Sequence, residues 1–288
     1  MRGDQLQTRS GEARALNEVL EMHSLLPLAW HAAAGAGRIL VEERPDELRT
    51  STKSSPTDTV TEMDTRCERF LIEALLADRP DDGLLGEEGG ERPGTSGVRW
   101  VVDPLDGTVS YLYRLPMWGV SVAAEINGEV VVGVVLTPDF NEGYLAVRGK
   151  GAWHVRGGHA RRMLVDDVSD LSMALVATGF GYQPQQRAAQ ARTLGSLLPR
   201  IRDLRRTGSA VVDFCWLARG RVDAYYEEGL NHWDMAAGAL IAQEAGVVVR
   251  SLNGNDFGHG VMVAAKPGIA DALQRALIEA GGEGPFAP

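Results

Sequence analysis

The spacing of apolar and polar positions predicts two helices in the first quarter of the chain. Apolar residues recur at helical intervals over 25–41, which indicates a packing helix. A second helix is predicted over 61–77, because Thr61 and Asp64 form a capping box ahead of an apolar stripe. The stretch 46–59 between them is rich in Ser, Thr and Pro and predicts a flexible loop or a weak hairpin.

The middle of the chain is rich in strand-like runs. β-Branched and alternating apolar segments predict strands over 98–102, 119–126, 130–137 and 142–147. Asn127-Gly128 separates two of these runs and is a strong hairpin signal, so an antiparallel meander is expected. Two Gly-rich segments, 149–153 and 156–160, predict short turns that end a first subdomain near residue 160.

From Leu171 onward, strand and helix patterns alternate. Strands are predicted over 174–178, 201–206, 222–227, 247–251 and 261–265, and helices over 183–198, 210–218, 234–245 and 269–280. Residues 1–22 are polar and without a pattern, which predicts a flexible N-terminal arm. The expected fold class is α+β, with an antiparallel-sheet subdomain over 23–160 and a smaller α/β subdomain over 161–288.

Composition and charge narrow the class of protein. The 288 residues can bury a large core, and the net charge of −10 argues against a nucleic-acid partner. No apolar run approaches the roughly 18–20 residues of a membrane span, and the first residues lack a signal-peptide core, so a cytoplasmic protein is expected. Cys67 and Cys215 are predicted to be reduced, buried thiols.

The most informative stretch is Trp100 to Tyr111, WVVDPLDGTVSY. A predicted buried strand delivers Asp103 at its carboxyl end, and Asp106 follows three positions later. Two carboxylates at this spacing present hard oxygen ligands to Mg²⁺. Gly107 and Thr108 supply turn and helix-start chemistry, so their backbone N–H groups can face a phosphate. The competing interpretation is an ordinary acidic turn.

Three further motifs favour the chemical interpretation. Glu87 and Glu88 lie in the Gly-rich LLGEEGG, Asp234 opens an Ala-rich helical run in NHWDMAAG, and KSSPTDTVTEMD contains Lys53. The four motifs in this order resemble the inositol monophosphatase family of Mg²⁺-dependent, lithium-sensitive phosphatases. The resemblance covers roughly residues 53–246, and it implies a layered αβαβα sandwich.

The resemblance also implies two or three Mg²⁺ ions in each active site. Glu87, Asp103 and the backbone carbonyl of Leu105 would bind the first, Asp103, Asp106 and Asp234 the second, and Glu87 with water a weaker third. The implied nucleophile is a water activated by metal, oriented by Thr108 with Asp64 behind it, while Glu87 completes the catalytic set. Direct attack by water is favoured over a phosphoenzyme intermediate.

Substrate contacts follow from the same resemblance. The phosphate would rest on the backbone of Gly107 and Thr108, and the remaining contacts would come from the 208–210 loop (Gly208, Ser209, Ala210) and from Glu227, which would accept hydrogen bonds from polyol hydroxyls. Lys53 and Asp58 would form a lid or an outer shell of the third metal. From sequence alone, Lys53 is more simply a solvated loop lysine and Glu227 a solvated strand end.

The expected activity is hydrolysis of inositol 1-phosphate by a homodimer. Histidinol phosphate, fructose 1,6-bisphosphate and 3'-phosphoadenosine 5'-phosphate remain alternative substrates. A basic pocket would favour the last two, but the one Arg cluster, Arg202, Arg205 and Arg206, is interpreted as a solvated face. Val109 to Tyr111 and the stretch 178–182 depart from the family pattern, which leaves the substrate less secure than the chemistry. The alternative of another class is a non-catalytic interaction module, which would be expected to lose a metal ligand or Thr108.

Overall fold

The computed structural model describes residues 13–252 and 260–281. Their strands are β1 (Ala13–Ala15), β2 (Thr50–Thr52), β3 (Thr59–Thr61), β4 (Gly83–Gly86), β5 (Gly90–Arg92), β6 (Val98–Asp106), β7 (Gly119–Ile126), β8 (Glu129–Thr137), β9 (Glu142–Val147), β10 (Gly151–Arg156), β11 (His159–Met163), β12 (Leu175–Thr178), β13 (Asp203–Arg205), β14 (Ala224–Glu228), β15 (Val248–Ser251) and β16 (Val261–Ala265). Their α-helices are α1 (Leu16–Leu20), α2 (Leu26–Glu42), α3 (Glu62–Asp78), α4 (Thr108–Leu112), α5 (Pro184–Leu197), α6 (Ala210–Ala218), α7 (His232–Glu244) and α8 (Pro267–Glu279).

Two sheets organise these elements. The larger has nine strands in the order β1-β11-β10-β9-β8-β7-β6-β4-β5, and it is antiparallel except where β4 pairs with β6. The smaller has five strands in the order β13-β12-β14-β16-β15. Strands β2 and β3 form a separate two-stranded hairpin, which agrees with the weak hairpin predicted for 46–59.

The helices and sheets stack as five layers. Neighbouring residues of β6 face opposite sides: Val102 packs with α2 and α3, and Val101 packs with α6 and α7. The other side of α6 and α7 covers β12, β14 and β16 through residues such as Phe214. Helix α8 closes the far side of the smaller sheet. This αβαβα order is the predicted architecture, and burial on both faces explains the nearly continuous apolar strands.

The prediction of a flexible arm over 1–22 was wrong for the described part of that segment. Residues Ala13–Ala15 pair antiparallel with β11, and Val19 in α1 is completely buried in the first core. A three-residue edge strand is too short to show a side-chain alternation, and its pairing depends on backbone groups that no sequence pattern reports. Residues 1–12 lie outside the described residues.

The two predicted Gly-rich segments do include turns, at 149–150 and 157–158, but the prediction missed the strand residues beside them. The two segments contain the hairpin of β10 and β11, with Gly157 and Gly158 at its tip in the left-handed region (φ 58° and 76°). Glycines at the ends of both strands hid the short runs between them. The change of sheet falls between β11 and β12, but α6 and α7 contact both sheets, so the division into subdomains near residue 160 stays a prediction.

Two other expectations can be compared with the structure. Cys67 and Cys215 are free and buried, as predicted. Within 13–252 and 260–281, no helix combines the length and apolar character that a membrane crossing requires.

Candidate functional site

A β-bulge at the end of β6 brings Asp103 and Asp106 together. Asp103 is opposite Ser121 and Asp106 is opposite Gly119, so three steps along β6 match two along β7. In a regular strand, side chains three positions apart point to opposite faces. The bulge re-aims one of them, and the two carboxylates lie close enough for the charge of Asp106 to raise the pKa of Asp103.

The carboxylates around Asp103 repel one another in a buried setting. Asp103 is 1% exposed and accepts one hydrogen bond, from the Leu105 N–H at 3.0 Å. Burial raises its pKa well above 3.8, and the charges of Glu87, Asp106 and Asp234 raise it further. Burial likewise raises the pKa of Asp106 and of Asp234. These four acids form a cluster of negative charge without an equal number of cations.

Asp106 is held by the start of α6. Its Oδ2 accepts hydrogen bonds from the Ser209 hydroxyl at 2.8 Å and from the Val211 N–H at 2.7 Å. Ser209 is also the N-cap of α6 and is 2% exposed. The sequence predicted that the 208–210 loop touches the polyol, but the Ser209 side chain lies against Asp106 instead. Ala210 beside it is buried as well.

Asp64 makes the predicted capping box and also contacts Thr108, its predicted partner. It closes the capping box of α3, since its Oδ2 accepts the Thr61 N–H at 2.9 Å. Its Oδ1 accepts the Thr108 hydroxyl at 2.9 Å, and that hydroxyl lies 3.1 Å from the Leu105 carbonyl oxygen. Burial raises the pKa of Asp64, while the bonds from Thr61 and Thr108 oppose that rise. A buried carboxylate therefore fixes the direction of the Thr108 hydroxyl.

Two more helices begin at the site. Asp234 is the third residue of α7, and its Oδ2 accepts the Asn231 N–H at 2.6 Å in a second capping box. Gly107 is the N-cap of α4 with φ 93°, and a Cβ there would lie 2.7 Å from the Met117 carbonyl oxygen. Only glycine combines that conformation with that space. The first N–H groups of α4 have no partners within the helix.

The β2–β3 hairpin covers Glu87. The Lys53 ammonium lies 2.9 Å from Glu87 Oε1 and also contacts Glu88. Burial alone would lower the pKa of Lys53, but the two carboxylates raise it above its ordinary value. Asp58 does not reach Glu87 in this arrangement; its Oδ2 accepts the Ser54 N–H at 3.0 Å and closes the turn of the hairpin. The Gln183 side chain donates to the Ser54 carbonyl at 3.3 Å, which joins the hairpin to the second half of the chain.

Sequence analysis missed Glu68, which supports the turn that carries Glu87. Its carboxylate is 2% exposed and accepts the Glu88 N–H at 2.8 Å and the Gly89 N–H. A Cβ at Gly86 would lie 2.7 Å from the same carboxylate, so the turn and the acid fit only because position 86 is glycine. The available signal was a charge at helical spacing on the buried face of α3, beside Asp64 and Leu71.

Glu227, the residue predicted to bind the polyol, lies at the end of β14. Its Oε2 accepts the Tyr225 hydroxyl at 2.6 Å, and its carboxylate lies against Gly179, where a Cβ would come within 2.0 Å. The Arg206 guanidinium folds over Gly208, and its charge lowers the pKa of Glu227, which burial raises. Arg206 is exposed, as its assignment to a solvated face predicted, and its guanidinium lies against Gly208.

The donor set fits a hard divalent cation. Glu87, Asp103, Asp106 and Asp234 supply carboxylate oxygens close enough for the other three to raise the pKa of Asp103, and Leu105 lies between two of them in the chain. Among the described residues, Lys53 pairs with Glu87, but no ion pair joins Asp103, Asp106 or Asp234 to an ammonium or guanidinium group. In their present rotamers, no three carboxylate, imidazole or thiolate side chains of the described residues converge on one point. Binding an ion therefore requires rotation of these side chains, which attraction to the ion would favour over their mutual repulsion.

Comparison with known proteins agrees with this geometry. The sequence model of the inositol monophosphatase family matches residues 21–282. The inositol-1-monophosphatase of Mycobacterium leprae is 48% identical over 242 residues, or 81% of this chain and 83% of that protein. The Nus factor SuhB of Escherichia coli K12 is 39% identical over 88% of this chain and 95% of that protein. The crystal structure of the extragenic suppressor protein SuhB from Bartonella henselae superposes with a TM-score of 0.82 at 34% identity, covering 88% of this chain and 98% of that one. The chain therefore belongs to the inositol monophosphatase family and is a phosphatase.

Proposed function

We propose that the protein hydrolyses inositol 1-phosphate to inositol and inorganic phosphate with Mg²⁺ as its cofactor. The observation that carries the proposal is the set of interacting carboxylates, Glu87, Asp103, Asp106 and Asp234, beside the Asp64–Thr108 pair. Hydrolysis of a phosphate monoester is among the slowest uncatalysed reactions, and its catalysis depends on neutralising and positioning oxygen atoms. A cluster of acids that can hold divalent cations suits that task.

Two or three ions would be held by residues of this chain. Glu87, Asp103 and the Leu105 carbonyl would hold the first, and Asp103, Asp106 and Asp234 the second; Glu87 and water would hold a weaker third. When bound, Mg²⁺ supplies positive charge to the phosphoryl and leaving-group oxygens and lowers the pKa of water. Ser209 and Val211 fix Asp106, and the Asn231 backbone fixes Asp234, so the ligands are positioned from both halves of the chain.

Thr108 orients the attacking water. Its hydroxyl donates its only proton to Asp64, so its lone pairs are left to accept a hydrogen bond from water. Asp64 is buried and receives two hydrogen bonds from Thr61, which prevents it from turning away. The residues support direct attack by water, and no side chain is needed as a covalent carrier of phosphate.

The substrate would span the two halves of the chain. Its phosphate would rest on the backbone N–H groups of Gly107 and Thr108 at the start of α4, where an anion is favoured. Glu227 would accept hydrogen bonds from the polyol, and Gly208 and Ala210 would line the ring. Lys53 and Asp58 in the β2–β3 hairpin would cover the metals.

Alternatives within the same chemistry are histidinol phosphate, fructose 1,6-bisphosphate and 3'-phosphoadenosine 5'-phosphate. The presence of every predicted ligand and of Thr108 favours the enzyme over a non-catalytic interaction module. The proposal extends to a cytoplasmic homodimer with a lithium-sensitive active site, as the family resemblance implies, and to no nucleic-acid partner.

The proposal is tested by phosphate release from the four esters with Mg²⁺ and with EDTA. We expect Mg²⁺-dependent release with a preference for inositol 1-phosphate. Asp103→Asn should retain less than about a tenth of the activity, because it removes the carboxylate shared by two ions. Asp203→Asn, at an exposed ion pair on β13, is the matched control and should keep wild-type activity. Retention of activity by Asp103→Asn would contradict the metal assignment.

A further inference from the structure

Arg206 occupies a position that the activity proposed above does not use. Its side chain bends back over Gly208, where a Cβ would lie 2.3 Å from Nη1 and 3.5 Å from Cζ of the guanidinium. Gly208 has φ +91° and belongs to the 208–210 loop, which ends at the start of α6. The guanidinium thus lies against the loop whose next residue, Ser209, holds Asp106.

The groups that face Arg206 are acids and a phenol. The charge of Arg206 acts on the partly exposed Glu227, on the buried Asp213 and on the exposed Tyr182. Within 13–252 and 260–281, no carboxylate lies within 4 Å of the Arg206 guanidinium as an ion pair. The guanidinium N–H groups of Arg206 therefore lie near Glu227 without forming an ion pair with it.

The neighbouring Arg205 has the opposite orientation. Its Nη1 donates to Asp203 Oδ2 at 2.7 Å and to the Leu204 carbonyl at 2.6 Å, on the outer edge of β13. Adjacent residues at a strand end point to opposite sides. Both arginines are exposed, but Arg206 lies over Gly208 whereas Arg205 pairs with Asp203.

We propose that Arg206 is a specificity-determining residue, which donates hydrogen bonds to hydroxyl oxygens of the substrate while Glu227 accepts hydrogen bonds from neighbouring hydroxyls. The proposal rests on the proposed function and deepens it. A guanidinium only donates and a carboxylate only accepts, whereas each hydroxyl does both. Vicinal hydroxyls on a ring satisfy this pair, and an aryl or alkyl phosphate without hydroxyls does not.

A second phosphate is the poorer match for the same position. Glu227 lies near Arg206, and its carboxylate would repel a second anionic group. One guanidinium among several acids does not produce a cationic pocket. The local charge therefore favours a neutral polyol monophosphate over a bisphosphate.

The test is steady-state kinetics of the full chain with Mg²⁺, comparing Arg206→Gln with Arg205→Gln. The substrates are inositol 1-phosphate, which carries ring hydroxyls, p-nitrophenyl phosphate, which carries none, and fructose 1,6-bisphosphate. We expect Arg206→Gln to raise KM for inositol 1-phosphate about tenfold, since a charge-assisted hydrogen bond is lost. Its kcat/KM for p-nitrophenyl phosphate should change by less than about twofold. Arg206→Lys should recover part of the loss, and Arg205→Gln should behave as the wild type.

Three results would overturn the proposal: equal losses on inositol 1-phosphate and p-nitrophenyl phosphate, no change on either, or a loss confined to the bisphosphate. A wild-type protein that hydrolyses p-nitrophenyl phosphate but not inositol 1-phosphate would contradict the proposed substrate alone. Arg206→Gln is then compared with the wild type on the hydroxylated monophosphate that the wild type hydrolyses best. The same selective rise in KM is expected for that substrate, and its absence would refute the role of Arg206. No release from any ester would refute both.

Discussion

At the scale of single residues, the site depends on side chains that hold other side chains. Ser209 fixes Asp106, Glu68 fixes the turn of Glu87, and Asp64 fixes Thr108. Each holder is buried and takes part in a hydrogen bond that crosses between elements. The orientation of the metal ligands is therefore set by residues that need not contact an ion or a substrate.

The first prediction concerns Ser209. Ser209→Ala should raise the Mg²⁺ concentration for half-maximal activity about fivefold, because Asp106 loses a hydrogen bond of ~1 kcal/mol that orients it. Loss of the α6 cap should also lower the free energy of unfolding by about 1 kcal/mol in urea titrations. Ser196→Ala, at an exposed position of α5, is the control. An unchanged Mg²⁺ requirement would contradict the role of Ser209.

Residue-scale features were predictable where the signal is local. The capping box of Thr61 and Asp64 is contained in four consecutive residues and appears as predicted. The charge of Arg206 acts on Glu227 in another strand, and Ser209 reaches Asp106 across 103 positions, so no local pattern could report them. The sequence predicted which residue types matter, and the fold decides which partners they have.

At the scale of elements, the layer of α6 and α7 joins the two sheets, and small residues allow its close approach. A Cβ at Gly133 in β8 would lie 2.8 Å from the Ala237 carbonyl oxygen in α7. A Cβ at Gly238 in α7 would lie 2.8 Å from the Phe214 ring in α6. Asp106 and Asp234 reach one site only because this layer packs tightly against the larger sheet.

The second prediction compares two glycines. Gly133→Ala should lower the free energy of unfolding by about 1–3 kcal/mol, because the backbone of α7 must move away from β8. Gly195→Ala has open space around it in α5 and should raise that free energy by up to about 1 kcal/mol. Urea denaturation of the two variants measures both effects. A neutral Gly133→Ala would show that the contact between α7 and β8 is adaptable.

Elements were predictable when their periodicity extended over several turns or strand residues. The predictions for 25–41, 142–147 and 210–218 agree closely with α2, β9 and α6. Strands β1, β10 and β11 are missing from the prediction because they are short and bordered by glycine or by polar residues. Their order in the sheet is set by long-range backbone pairing, which side-chain patterns do not specify.

At the scale of the whole molecule, the buried acids oppose folding near neutral pH. Burial raises the pKa of Asp64, Asp103, Asp106 and Asp234 above 3.8. The folded protein therefore binds more protons than the unfolded chain above that value, and its stability falls as the pH rises through this window. Glu125 and Glu142 have lowered pKa values, so their stabilisation is already complete above about pH 5.

The third prediction follows from this fall in stability with rising pH. In EDTA, the thermal midpoint should fall by about 5 °C between about pH 5 and pH 7. Mg²⁺ should raise the midpoint more at pH 7 than at pH 5, because the acids must be ionised to bind an ion. His23, whose pKa is lowered, acts in the opposite direction but is a single group against several acids with raised pKa. Differential scanning calorimetry measures the four conditions. A midpoint that rises with pH in EDTA would contradict the assignment, and Asp103→Asn should reduce the pH dependence.

The starts of α3, α4, α6 and α7 all lie at the site, and this has a consequence for how the family can diverge. Asp64 and Asp234 close capping boxes, so a descendant that abandons phosphate chemistry would still need them to begin two helices. Their retention is therefore weak evidence of catalysis. Asp103 caps no helix and is buried among like charges. Its one hydrogen bond, from the Leu105 N–H, offsets little of the free energy that its desolvation costs. Relaxed selection should remove Asp103 first, so this position is the most informative record of whether a relative is still an enzyme.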